Sequence, residues 1–162
     1  METNIIDDGV ITHDFPVWRE KANFILAVRL GDPDIPKEWK WEQIWAKKVN
    51  ENLFEICCIP FFAYGLALGY LINTKTLDEK QYVINEIVKK SEHITYRIWF
   101  INTDNWNTII DDITNLGCLV EARWEKSKLI AVDAPNFEIK EKLELYSTDL
   151  ESKGIAKCEI GM

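Results

Sequence analysis

CCIPFFAYGLALG, residues 57–69, divides this chain into two halves of different character. The stretch joins two cysteines, three aromatics and two glycines without a single charge, so it must be buried or must bind something. Pro60 ends whatever strand precedes it, because proline cannot donate to a β-ladder, while Gly65 and Gly69 permit close turns. Phe61, Phe62 and Tyr64 are then expected to wedge one half of the molecule against the other, which makes the segment a joint between two subdomains.

Upstream of the joint the pattern is that of strands. From Ala22 to Leu30, Ala22, Phe24, Leu26, Val28 and Leu30 alternate with the intervening positions, a period of two. Trp41 to Val49 and Leu53 to Ile59 read as two strands joined by Asn50-Glu51-Asn52, with Trp41 and Trp45 sharing a face expected to be the core. Gly69 to Asn73 and Tyr82 to Lys89 add two more, about five strands in all, as in a small barrel. Residues 1–20, with Asp7, Asp8 and Asp14 preceding any basic residue, read as a loosely ordered acidic arm.

Downstream the order changes. His93 to Phe100 reads as a strand. Asp104-Asn105 then starts a helix carrying Trp106, Ile109, Ile110, Ile113 and Leu116 on one face, and Gly117 ends it. Cys118 to Trp124 and Lys128 to Asp133 form a hairpin around Glu125-Lys126-Ser127. A second helix from Asn136 places Ile139, Leu143, Tyr146 and Leu150 at helical spacing, and Ile155 to Ile160 closes as a strand. The sequence therefore predicts an α+β fold: an arm over residues 1–20, a small antiparallel β-barrel-like subdomain over 21–91, and a ferredoxin-like β-α-β-β-α-β sandwich over 92–162, together forming one compact unit.

Composition narrows the function. The 162 residues carry 19 basic and 27 acidic side chains, a formal net charge of -8, which repels phosphate backbones and argues against nucleic-acid binding. Residues 1–92 and 93–162 each carry -4, so neither half is a basic domain. The first fourteen residues lack the basic start and apolar run of a signal peptide, and no apolar run approaches the ~20 residues of a bilayer span, so the expectation is a cytoplasmic protein off the membrane. Cys57, Cys58, Cys118 and Cys158 lie in apolar or strand-like runs and read as reduced core residues.

No catalytic set emerges. Cys57 or Cys58 with His93 as a base would need a nearby cation, and no lysine or arginine lies between Asn50 and Lys75. His13 and His93 are eighty residues apart and the cysteines lack zinc-ligand spacing, so no metal is expected; with no phosphate loop either, no cofactor is expected. His93 and Arg97 share a side of their strand and, with Tyr64, could line a ligand cleft between the subdomains, set against the plainer reading of a rim histidine and a surface salt bridge. Trp39, flanked by charges, together with Asp7, Asp8, Asp14, Asp111 and Asp112, forms the candidate surface for a partner; Asp111 and Asp112 are most simply the solvated face of the first helix.

Trp41-x-x-x-Trp45-Ala46, the segment from Cys57 through Gly65 with Leu68-Gly69, His93-x-Thr95-x-Arg97, Leu116-Gly117-Cys118 and the run from Leu129 to Pro135 resemble an uncharacterised bacterial family catalogued as a domain of unknown function. The resemblance spans about residues 20–160. It carries over no catalytic residues. Two positions depart from the family's pattern: Tyr70 stands where an aspartate usually follows the second glycine, and Glu92 where a glycine commonly precedes the histidine. Some members resemble antidotes encoded beside secreted bacterial toxins. The chain's small size, its acidity and its lack of a catalytic set lead to the expectation of a protein-binding immunity protein that occludes the active site of a cognate, basic toxin, toward which the negative field would speed association. The alternative expectation is a regulatory or small-ligand module built on the Tyr64, His93 and Arg97 cleft.

Overall fold

The computed structural model describes residues 9–31, 40–123 and 128–160. In chain order these form β1 (Val10–Ile11), β2 (Phe24–Arg29), β3 (Trp41–Asn50), β4 (Leu53–Ile56), β5 (Leu71–Leu77), β6 (Lys80–Lys89), β7 (Ile94–Phe100), α1 (Trp106–Asn115), β8 (Leu119–Arg123), β9 (Leu129–Ala134), α2 (Phe137–Ser152) and β10 (Ala156–Ile160). The class is α+β: a five-stranded barrel, then a second sheet with two helices.

β2 to β6 run up and down, each antiparallel to the next along β2-β3-β4-β5-β6. An odd number of such strands leaves first and last pointing the same way, so the barrel closes through a parallel β2–β6 pair, joined at Ala27 and Val83 alone. β1 lies parallel to β3 outside the closure, with Val10 opposite Trp41. Between β5 and β6 the two-residue turn Asp78-Glu79 has both φ angles positive, 50° and 68°, the backbone a tight hairpin needs.

The structure corrects two expectations in this half. Residues 10–18 are built into the fold rather than loosely ordered: β1 pairs with β3, and His13 is 3% exposed. Trp41 is buried and Trp45 packs against the core cluster, but the face they share is not the one turned to the barrel interior. That parity belongs to Glu42, Ile44 and Ala46, all fully buried, which stand opposite Val28, Leu26 and Phe24. The tryptophans lie on the outer side, where Arg29 and Lys80 sit over the Trp41 ring at 5.2 and 5.1 Å and Arg19 over Trp45 at 5.8 Å. Alternation defines two faces of β3, and the inward one is the face that carries Glu42.

The second sheet has the order β10-β7-β9-β8 with every neighbour antiparallel. One face carries Tyr96, Ile98, Phe100, Ile130, Val132 and Ala134, which pack with Ile109 and Ile113 of α1 and Leu143 and Leu150 of α2. Asn105 precedes α1 without a side-chain cap, whereas the Asn136 side chain accepts from the Ile139 amide at 2.9 Å and caps α2. On the other face Leu129 and Ala131 join the barrel's core, with Trp99 packed against it. β9 is therefore buried on both sides, which is why all six of its residues are inaccessible.

Candidate functional site

Among the described residues, most of the buried polar groups lie at the contact between the barrel and the second sheet, and residues 57–69 fill it. From Cys57 to Ala63 this segment is buried and without regular secondary structure, so its amides and carbonyls need partners that no ladder supplies. Side chains provide them. Glu42, at the inward end of β3, accepts from the Phe61 amide through Oε2 at 2.7 Å and from Phe62 and Ala63 through Oε1 at 2.9 Å each. Glu121, on β8, accepts from Ile59 at 2.7 Å and from Val17 at 3.2 Å.

The carbonyls are held from β7. Arg97, 1% exposed, donates to the Phe61 and Ala63 oxygens, and Thr95 Oγ1 donates to Leu66 at 2.9 Å. Ser91 Oγ donates to the Leu68 oxygen at 2.6 Å. Gly69 (φ 79°) has Ser91 Cβ 3.2 Å from where its own Cβ would stand, so both conformation and space favour glycine there.

His13 ties the two carboxylates together. Its Nε2 lies 2.7 Å from Glu42 and its Nδ1 2.7 Å from Glu121, while its ring stacks on Phe61 with centroids 4.5 Å apart. Two carboxylate acceptors call for a proton on each ring nitrogen, the imidazolium form. Burial works against that charge, but the neighbouring Cys58 sulfur and the carboxylates outweigh it and raise the His13 pKa well above its ordinary value. Burial likewise opposes the charge on Glu42, yet His13 and the Phe61 and Phe62 amides hold its pKa below the usual value.

The candidate residues read from the sequence fall as follows. Tyr64 and Arg97 meet, the guanidinium lying 4.7 Å from the ring centroid, and Tyr64 donates to Glu159 at 2.8 Å. His93 lies just before β7, with Nδ1 2.8 Å from Asp133 and its ring edge-on to Trp18. Burial pushes the Asp133 pKa up while His93 pulls it back. Arg97 thus grips backbone carbonyls rather than an open cleft. Asp14, Asp111 and Asp112 are exposed. The sheet separates Asp14, which follows β1 on the barrel side, from the other two on α1, where Asp112 accepts from Tyr146 at 2.9 Å. Asp7, Asp8 and Trp39 lie outside the described residues.

Cys57, Cys58, Cys118 and Cys158 are unpaired by disulfides, and the first three are buried. Burial pushes the Cys57 and Cys118 thiols up to about 12 and Cys158 to about 11, the opposite of an activated nucleophile. The histidine beside Cys58 is His13, already committed to two glutamates. Among the described residues, no group of three or more His, Cys, Asp and Glu side chains is placed to hold a metal ion. No helix among them is long and apolar enough to cross a membrane.

Sequence reasoning passed over His13, Glu42, Glu121 and Asp133. For three of them a signal was present: Glu42 has the parity of Ile44 and Ala46, and Asp133 is the one charge in the apolar run from Leu129 to Ala134. Glu121 alternates with Val120 and Ala122 and shares its row with Ala131 and Arg97. His13 offered no such signal, since it lies outside any periodic stretch.

The chain is similar in structure to a hypothetical protein from Neisseria gonorrhoeae, solved by crystallography. The TM-score is 0.70 at 18% sequence identity, over 85% of this chain and 92% of that one, a likeness of fold alone. No curated protein matches the chain. A family described as a domain of unknown function, DUF4265, matches residues 42–158, a span that holds Glu42, Arg97, Glu121, Asp133 and the whole 57–69 segment, and the chain belongs to that family.

Proposed function

We propose that this protein is a binding module without chemistry of its own and, more specifically, a cytoplasmic immunity protein that neutralises a cognate, basic bacterial toxin by occluding its active site. The observation that carries the first part is the commitment of the buried ionisable groups. His13, Glu42, Glu121 and Arg97, which in another setting would form a reactive site, are bonded to one another or to the backbone of residues 57–69. Groups so engaged hold a surface rigid, as a protein partner requires, and are not free to meet a substrate. The net charge of -8 supports attraction to a basic partner. In the same reading the second subdomain is a ferredoxin-like sandwich; the order β10-β7-β9-β8 with both helices on one face supports it.

The test is to co-express the chain with the product of the neighbouring gene and measure both co-elution and protection of cells from that product. A stoichiometric complex that abolishes toxicity is the expected result. Failure to associate with any adjacent-gene product, together with unprotected growth, overturns the proposal.

A further inference from the structure

At the start of β2 a cleft with a volume of about 400 Å³ opens beside the outward-facing Ile25 and Trp45, bounded further by Phe24 and by Tyr82 of β6. Two contacts shape it. Ile25 stands directly across the ladder from Trp45, and Phe24 meets the Tyr82 ring edge-on, with centroids 4.7 Å apart and planes at 82°. Aromatic rings from β2, β3 and β6 therefore converge on one space, which shares no lining residue with the 57–69 segment.

The charge around this cleft is the reverse of the chain's. Against a net charge of -8, no carboxylate lines it, and two cations stand over its rings: the Arg19 guanidinium 5.8 Å from the Trp45 centroid and the Lys48 ammonium 5.7 Å from that of Phe24. Neither cation pairs with a carboxylate among the described residues, whereas Lys21 is held by Glu55 at 2.8 Å. The polar groups of the wall can all donate. Asn23 Oδ1 accepts from the Lys48 amide at 2.9 Å, which leaves its Nδ2 hydrogens unused, and the Tyr82 hydroxyl and Trp45 indole N–H have no hydrogen bond among the described residues. Asn23 and Tyr82 are exposed, so these groups are open to a ligand.

We infer that this cleft binds a mononucleotide, its base against Trp45, Phe24 and Tyr82 and its phosphate at Arg19 and Lys48. Bases of any identity stack on aromatic side chains, and the two cations over those rings supply the counter-charge that a phosphate needs. Size agrees: a cavity of about 150 Å³ takes benzene, so about 400 Å³ has room for a base with its sugar and phosphate. A nucleic-acid strand fits less well, because phosphates beyond the cleft would meet a chain whose net charge is -8. A nucleotide here occupies none of the buried groups on which the binding-module reading rests.

The test is a ¹⁵N NMR titration of the full chain with adenosine monophosphate, followed through the Trp45 indole N–H, which W45F identifies, and the amides of residues 22–25 and 82. Saturable shifts confined to these signals are expected. Adenosine and ribose phosphate should each bind about tenfold more weakly, because each keeps one half of the recognition. R19Q/K48Q should weaken the monophosphate about tenfold and leave adenosine unchanged, since neither side chain makes an ion pair within the described fold. Adenosine binding as tight as the monophosphate, ribose phosphate shifts equal to its shifts, or shifts spread over the surface and unaltered in R19Q/K48Q, overturn the inference. A short single strand that binds more tightly than the monophosphate overturns the assignment to a free nucleotide.

Discussion

The two faces of the β10-β7-β9-β8 sheet are built by opposite means. Toward the helices it presents Tyr96, Ile98, Phe100, Ile130, Val132 and Ala134, an apolar surface whose polar tie to α2 is the Tyr96 hydroxyl donating to Glu144 at 2.9 Å. Toward the barrel, within the same strands, it presents Thr95, Arg97, Asp133 and Glu121, all buried. What differs is the partner. Two helices satisfy their own backbones and ask mainly for apolar contact, whereas residues 57–69 arrive with unpaired amides and carbonyls that side chains must meet. Thr95, Arg97 and Glu121 here answer a backbone that has no ladder, while Asp133 pairs with the His93 ring at 2.8 Å.

The comparison breaks most visibly at His13. His13→Ala leaves Glu42 and Glu121 buried without their shared cation and should cost ~3–5 kcal/mol, read by urea unfolding. Hydrogen exchange should then accelerate at Ile59, Phe61, Phe62 and Ala63 while α1 and α2 keep their protection. On the helix side Leu143→Ala should cost ~2–4 kcal/mol with the opposite exchange pattern. If both variants loosen the same amides, the two faces form one cooperative unit and the contrast between them fails.

Titration sharpens the same contrast. His13 has a raised pKa, so its contribution is complete below its ordinary value of 6.5 and is lost as pH rises through the folded value. Glu42 has a lowered pKa, so its contribution is complete above its ordinary 4.5 and is lost as pH falls through the folded value. Stability should therefore crest between about pH 4.5 and 6.5 from these two groups, and the alkaline decline should flatten in His13→Ala. An alkaline limb unchanged in that variant would show that His13 is not the titrating group. The smallest effect belongs to the helix layer: Asn136→Ala removes the α2 cap and should cost ~1 kcal/mol, seen as a modest fall in melting temperature.

The helix-side half of this architecture was readable along the chain because each element there carries its own pattern. Ile109 and Ile113 recur at helical spacing, Asn136 stands at a helix start, and Gly117 and Gly154 follow the helix ends with positive φ. The Asp78-Glu79 turn was not readable, because a hairpin with both φ angles positive usually announces itself by Asn-Gly or Asp-Gly. Trp41 and Trp45 misled for a related reason: alternation shows that two faces exist without saying which is inward, and the answer lay in what the far end of Glu42 would meet.

The sequence by itself determined the α+β class, the barrel strands, the order of strands and helices after residue 92, and the role of residues 57–69 as a joint, because periodicity, turn residues and an uncharged run are local properties. Only the tertiary structure decided which polar groups that joint would need. His13 and Glu121 are 108 positions apart, and Arg97 reaches carbonyls 34 and 36 positions away. Such pairings follow from where an irregular backbone leaves its amides and carbonyls in three dimensions, a quantity no local pattern in the chain records.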